Sequence, residues 1–165
     1  MQKLMIYFML IVLVLACKKG VENNESTSSK KEYVSFKNTP ETESINEEAT
    51  ESLASWEEFN ALQKSFDIMY RADNNEDLVL AINDLLEKEK VLRNSTYPEG
   101  FDKPQVKSRQ KVLRTFLLKV RANLSDNMPV DESLQQLLTA RNAFRNQFNT
   151  IVNNKLDTKL LLEEN

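Results

Sequence analysis

Asp131-Glu132-Ser133-Leu134-Gln135-Gln136-Leu137-Leu138-Thr139-Ala140-Arg141-Asn142-Ala143-Phe144-Arg145-Asn146-Gln147-Phe148-Asn149-Thr150-Ile151-Val152 is the stretch that decides the fold. Its apolar side chains Leu134, Leu137, Phe144, Phe148 and Ile151 fall at helical spacing, with Leu138 and Val152 beside them. Such a pattern draws one apolar stripe along an α-helix, not the alternating face of a strand. With Arg141 included, the positions alternate steps of three and four, a coiled-coil-like seam interrupted by that one arginine. The segment starts near Asp131 and carries on to Leu156; residues 157–165 either extend it or fray. A helix of this kind has to bury its seam against other helices.

Three earlier stretches supply them. Over residues 50–72, Leu53, Trp56, Phe59, Leu62, Phe66 and Met69 form one stripe, so a single helix is expected. Asp73, three residues before Glu76, has the spacing of a capping box. The next helix is expected over residues 75–93, with Leu78, Ile82, Leu85, Leu86 and Leu92 buried and Val79 at the margin. Glu76 and Asp77 open it and Lys88, Lys90 and Arg93 close it, which suits the helix dipole. So short a joint implies an antiparallel hairpin. After the loop of residues 94–101, Asp102 is expected to cap a third helix with Pro104 in its first turn. That helix runs to about Leu124 through Val106, Leu113, Phe116, Leu117 and Val120, and residues 125–129 break it.

With only 2 Gly and 4 Pro in 165 residues, the chain lacks the turns that sandwiches and barrels need. The expectation is an all-α protein: a small up-down bundle of about four helices over residues 51–165. Residues 17–50 read as a tether. Polar runs at 18–31 and 38–50 cannot bury enough apolar surface to offset chain entropy, so disorder is expected there. Tyr33-Val34-Ser35-Phe36 interrupts them with a strand-like alternation; it is either a docking segment or, as we favour, two stray apolar residues.

The leader reads differently. Lys3 gives a positive start, and Leu4 to Ala16 is uncharged and apolar until Cys17 and Lys18-Lys19 end the run. Permanent spanning needs about 20 apolar residues, so this is expected to be a cleaved export signal, residues 1–16. Val14-Leu15-Ala16-Cys17 resembles the lipobox of bacterial lipoproteins, although Leu15 is bulkier than the family's usual residue at that place. The resemblance implies cleavage between Ala16 and Cys17, and diacylglycerol with palmitate-like chains on the Cys17 sulfur. It also implies a place in the cell envelope facing the periplasm or the surface. No aspartate follows Cys17, which by the same resemblance favours the outer membrane over the inner. Multiple acyl chains give stable anchoring where one gives marginal binding. Cys17 is the only cysteine, so it has no internal disulfide partner.

Little else points to chemistry. There is no histidine, which removes the commonest general base and metal ligand. No Gly-rich phosphate loop or paired interior acids can be read, so no catalytic residue, metal or cofactor is expected. A net charge of −3 without a basic block argues against nucleic acid. Three features stay open. Lys107, Lys111, Arg114 and Arg121 form either an anion-binding face or a solvated one balanced by acids such as Glu76, Asp77, Asp84 and Glu87. Tyr97, Pro98 and Phe101 either make a contact loop or plug the end of the bundle. Asn142, Asn146, Asn149 and Asn153 form a stripe that either binds something or, as we favour, faces solvent. The functional expectation is a non-enzymatic envelope lipoprotein whose helical domain contacts a protein partner. The alternative is a carrier or holdase that takes an apolar ligand or unfolded chain between its helices.

Overall fold

The stretch expected to form one helix over residues 50–72 forms two, divided at Ser55 and Trp56. Trp56 has φ −87° and ψ 87°, outside the helical well. Its indole is 3% exposed, stacks on Phe59 at 5.7 Å, lies 4.7 Å from Tyr97, and donates from Nε1 to Ser95 Oγ at 2.9 Å. Asn60 Nδ2 donates to the Ala54 carbonyl (2.9 Å), satisfying one group freed by the break. Neither proline nor glycine stands at the joint, so tertiary burial of Trp56, not local propensity, ends the helix.

The computed structural model describes residues 34–163, with side chains described through Asn154. The leader with Ala16 and Cys17, and the tether as far as Tyr33, lie outside the described residues. Among the described residues the elements are α1 (Glu47–Ala54), α2 (Glu57–Met69), α3 (Asn75–Asn94), α4 (Pro104–Ser125) and α5 (Asp131–Glu163). The fold is all-α, an up-down bundle of α2 to α5 with α1 laid on its side. None of these helices is long and apolar enough to cross a membrane.

Two caps differ from expectation. α3 is capped by Asn74, whose Oδ1 accepts from the Asp77 amide at 2.9 Å while its Nδ2 reaches Asp73 and Asp77 carboxylates. The capping pair is therefore Asn74 and Asp77, one residue later than Asp73 and Glu76. Asp102 does not cap α4; Lys103 holds that position without a side-chain bond, and Asp102 pairs with Lys107 instead. With Pro104 at the start of α4, one orphan donor is already missing. α4 ends in a Schellman turn: Met128 N–H donates to Asn123 O (2.8 Å) and Asn127, at φ 52°, donates to Leu124 O (3.3 Å).

Sequence neighbours pack on one another, α2 on α3, α3 on α4 and α4 on α5, while α1 touches α2 and α5. The bundle closes between α2 and α5, and aromatic rings do the closing. Phe148 meets Phe59 at 5.3 Å, Phe101 at 5.0 Å, Phe144 at 5.1 Å and Trp56 at 6.5 Å, each near edge-to-face. Such pairs add about 0.5–1.5 kcal/mol beyond the area they bury.

Residues 34–46 are ordered against this closure, where disorder was expected through residue 50. Val34 and Phe36 pack on the core, Phe36 edge-on to Tyr70 at 5.2 Å, so the described part of the alternating segment, residues 34–36, docks after all. A turn at residues 37–39 follows, with Thr39 N–H and Oγ1 both donating to Phe36 O. The chain then runs extended to Asn46, the cap of α1.

Phe148→Ala is expected to cost about 3–5 kcal/mol in chemical denaturation, because four rings lose their shared partner. Leu80→Ala, at a position 69% exposed, should change stability by less than about 0.5 kcal/mol.

Candidate functional site

The asparagine stripe on α5 is where side chains grip extended main chain. A carboxamide carries a donor and an acceptor side by side. Asn142 donates from Nδ2 to Glu41 O (2.6 Å) and accepts from the Glu43 amide (2.9 Å). Asn149 repeats the pattern one step on, donating to Ser44 O (2.9 Å) and accepting from the Asn46 amide (2.9 Å). Each asparagine thus reads the carbonyl of one residue and the amide two residues later.

The repeat works because two pitches agree. Seven residues of α-helix rise about 10.5 Å. Three residues of extended chain span about 10 Å. Asn142 and Asn149 therefore meet the strap of residues 41–46 at equivalent points. Arg145 lies between them and donates from Nε to Glu43 O (2.6 Å). At the far end Asn46 donates to Asn153 Oδ1 (3.3 Å) while its own Oδ1 caps α1 through the Ala49 amide (3.0 Å). Asn146 is exposed and takes no part through its side chain in these clamps. The next rail position toward the start of α5 is Gln135, and it would face Pro40, which has no N–H to offer.

Beneath the strap sit two arginines. Arg141, the residue that interrupts the seam, is 4% exposed and lies over Phe66 at 4.5 Å and Tyr70 at 5.7 Å. It donates to Thr42 Oγ1 (3.3 Å), Tyr70 Oη (3.4 Å) and Gln63 Oε1 (3.2 Å), and Arg145 donates to the same Gln63 oxygen at 2.7 Å. No carboxylate pairs with either guanidinium among the described residues. Burial holds Arg141 below the usual arginine pKa, opposed by Tyr70 and Asp67. Burial and the charge of Arg141 do the same to Arg145, opposed by Asp67, Glu43 and Tyr70.

The other expected sites resolve differently. Of the basic residues on α4, Lys107, Lys111 and Arg121 are exposed, Lys107 beside Asp102 and 5.2 Å over the Tyr97 ring. Arg114 turns inward to Glu89 Oε2 (2.6 Å), a carboxylate on α3 that is fully buried. Gln110 joins them, donating to Glu89 Oε1 (3.3 Å) and accepting from the Tyr97 hydroxyl. Interior acids were not expected, and Glu89 is one; its helical position among Leu85, Leu86 and Leu92 was the available signal. In the loop, Phe101 is 2% exposed against Phe148, and Tyr97 is half-buried on Trp56. Both rings plug the end of the bundle, with Pro98 partly buried beside them. Burial, with Glu89 and Asp102 nearby, raises the Tyr97 pKa above its ordinary value.

Surface depressions of about 460, 440 and 370 Å³ lie beside Gln135, between α2 and α3 at Ile68 and Leu80, and beside Tyr97. A carrier would need room between helices, and between α2 and α5 the aromatic rings occupy it. Among the described residues no group of three acids, cysteines or histidines could hold a metal ion. Comparisons with protein-family models, with curated proteins and with solved structures find no match. The chemistry the site can perform is the binding of extended main chain.

Asn142→Ala/Asn149→Ala removes four hydrogen bonds to the strap, each worth about 0.5–1.5 kcal/mol. Tryptic cleavage after Lys37 should accelerate more than about tenfold with helix content unchanged; an unchanged rate would contradict the clamp. Arg114→Ala should cost about 3 kcal/mol, the low end for breaking a buried pair because the Arg114 side chain is 30% exposed. Glu89→Leu/Arg114→Met together should cost less than either single truncation, as read from urea midpoints.

Proposed function

We propose that this chain is a bacterial envelope lipoprotein, held at the membrane by acyl chains on Cys17, and that its helical domain acts by protein contact, not catalysis. The observation that carries the anchor is the apolar run from Leu4 to Ala16 ending at a solitary cysteine. A leader of that length suits export and does not suit permanent spanning. Thiol acylation also accounts for a lone cysteine in a chain bound for an oxidising compartment. The outer membrane is the preferred address because no aspartate follows Cys17.

Support for protein contact comes from the rail on α5. Carboxamides and guanidinium directed at carbonyls and amides recognise backbone, which every extended peptide presents. Nothing around the rail resembles a nucleophile with its base or a pair of acids in contrasting environments.

Cys17→Ser should move the protein from the membrane pellet to the soluble fraction after cell lysis. Retention equal to that of the unaltered chain would refute the anchor. Crosslinking in intact membranes followed by affinity purification should recover a specific protein partner; recovery of uncrosslinked monomer alone would refute the contact role.

A further inference from the structure

The arm formed by the strap and α1, residues 34–54, joins α2 through Ser55 and Trp56. That joint is bent although its sequence does not require a bend. Ala54-Ser55-Trp56-Glu57 contains no breaker, and Leu53, Trp56 and Phe59 keep one helical stripe across it. Straightened, α1 and α2 become one helix over residues 47–69, about 35 Å long. The arm then leaves its own α5. The bent joint gains the Trp56–Ser95 and Asn60–Ala54 hydrogen bonds, and the straight joint gains helical ones.

A departed arm leaves a surface that cannot stay bare. Arg141 loses Thr42, Arg145 loses the Glu43 carbonyl, and both carboxamides lose donor and acceptor at once. On the arm, Ala49 and Leu53, both buried, lose their cover. The segment that restores every one of these contacts is the same arm of another molecule, because sequence and register are identical.

We propose that the chain forms an arm-exchanged dimer, in which residues 34–54 of each copy seal the α2–α5 closure of the other. The exchange is reciprocal and closes on itself, leaving no unpaired rail. It rests on the reading of the domain as a protein-contact module and names its partner as a second copy; it does not depend on Cys17.

Full-length chains carrying Ser44→Cys and Asn149→Cys are co-expressed with different tags and oxidised in intact membranes. Exchange gives a disulfide between position 44 of one tagged chain and position 149 of the other, identified by mass spectrometry of the linked peptides. Its yield should rise several-fold with Ser55→Ala and fall several-fold with Ser55→Gly, following helix propensity at the joint. Two results overturn the proposal: an intrachain link in the Ser44→Cys/Asn149→Cys chain with no link between chains, or an interchain yield indifferent to position 55. Repeating the mixture with Cys17→Ser separates the two readings, since membrane retention of that variant with the crosslink kept would refute the lipoprotein and leave the exchange standing.

Discussion

Closing α2 against α5 is the constraint from which the rest of this domain follows. The other helices meet their sequence neighbours through short turns, but α2 and α5 stand at opposite ends of the bundle's sequence. Rings from Phe59, Phe144 and Phe148 fill the closure, and Trp56 and Phe101 extend the cluster at one end. Toward the other end the seam position falls to Arg141, and a guanidinium buried there has to be hydrogen-bonded or left at high cost. Gln63, Tyr70 and Thr42 accept from its two terminal nitrogens while Nε stays buried without a partner among the described residues, and Thr42 belongs to the strap. The polar break in the seam and the ordering of the arm are thus one event.

The same logic explains why a stretch of polar residues is ordered at all. Residues 41–46 bring little apolar surface, Ile45 being partly buried. Their main-chain groups are satisfied by side chains spaced to match an extended chain, which replaces the hydrogen bonds that water would supply. Phe36 on Tyr70 at one end and Asn46 capping α1 at the other fix the strap at both limits. A clamp that reads backbone is indifferent to which molecule supplies it, so an intramolecular strap and an intermolecular one differ only in the joint.

Periodicity made most of the bundle legible. The seam residues of α5, the stripes of α3 and α4 and the break before Asp131 all stand where spacing puts them. The division at Trp56 was hidden because its cause, Ser95 and Tyr97, is some forty residues away. Composition argued for disorder in residues 38–46 because it counts apolar side chains and is blind to main-chain clamps. The asparagine stripe was visible, but its occupant was not: nothing in Asn142 or Asn149 alone says that Glu41 and Ser44 will face them. Arg141 was the better clue, a charge in a seam that demanded partners. Arg114 was read as part of a basic face and Glu89 was not singled out; only packing of α3 on α4 brings them together.

Native-state amide hydrogen exchange tests the central claim most directly. The amides of Glu43 and Asn46 donate to Asn142 and Asn149 in an otherwise exposed strap, so they should exchange far more slowly than the neighbouring Ser44 amide. If all three exchange together at rates typical of unstructured chain, the strap is not held by the rail, and the account of this site is wrong.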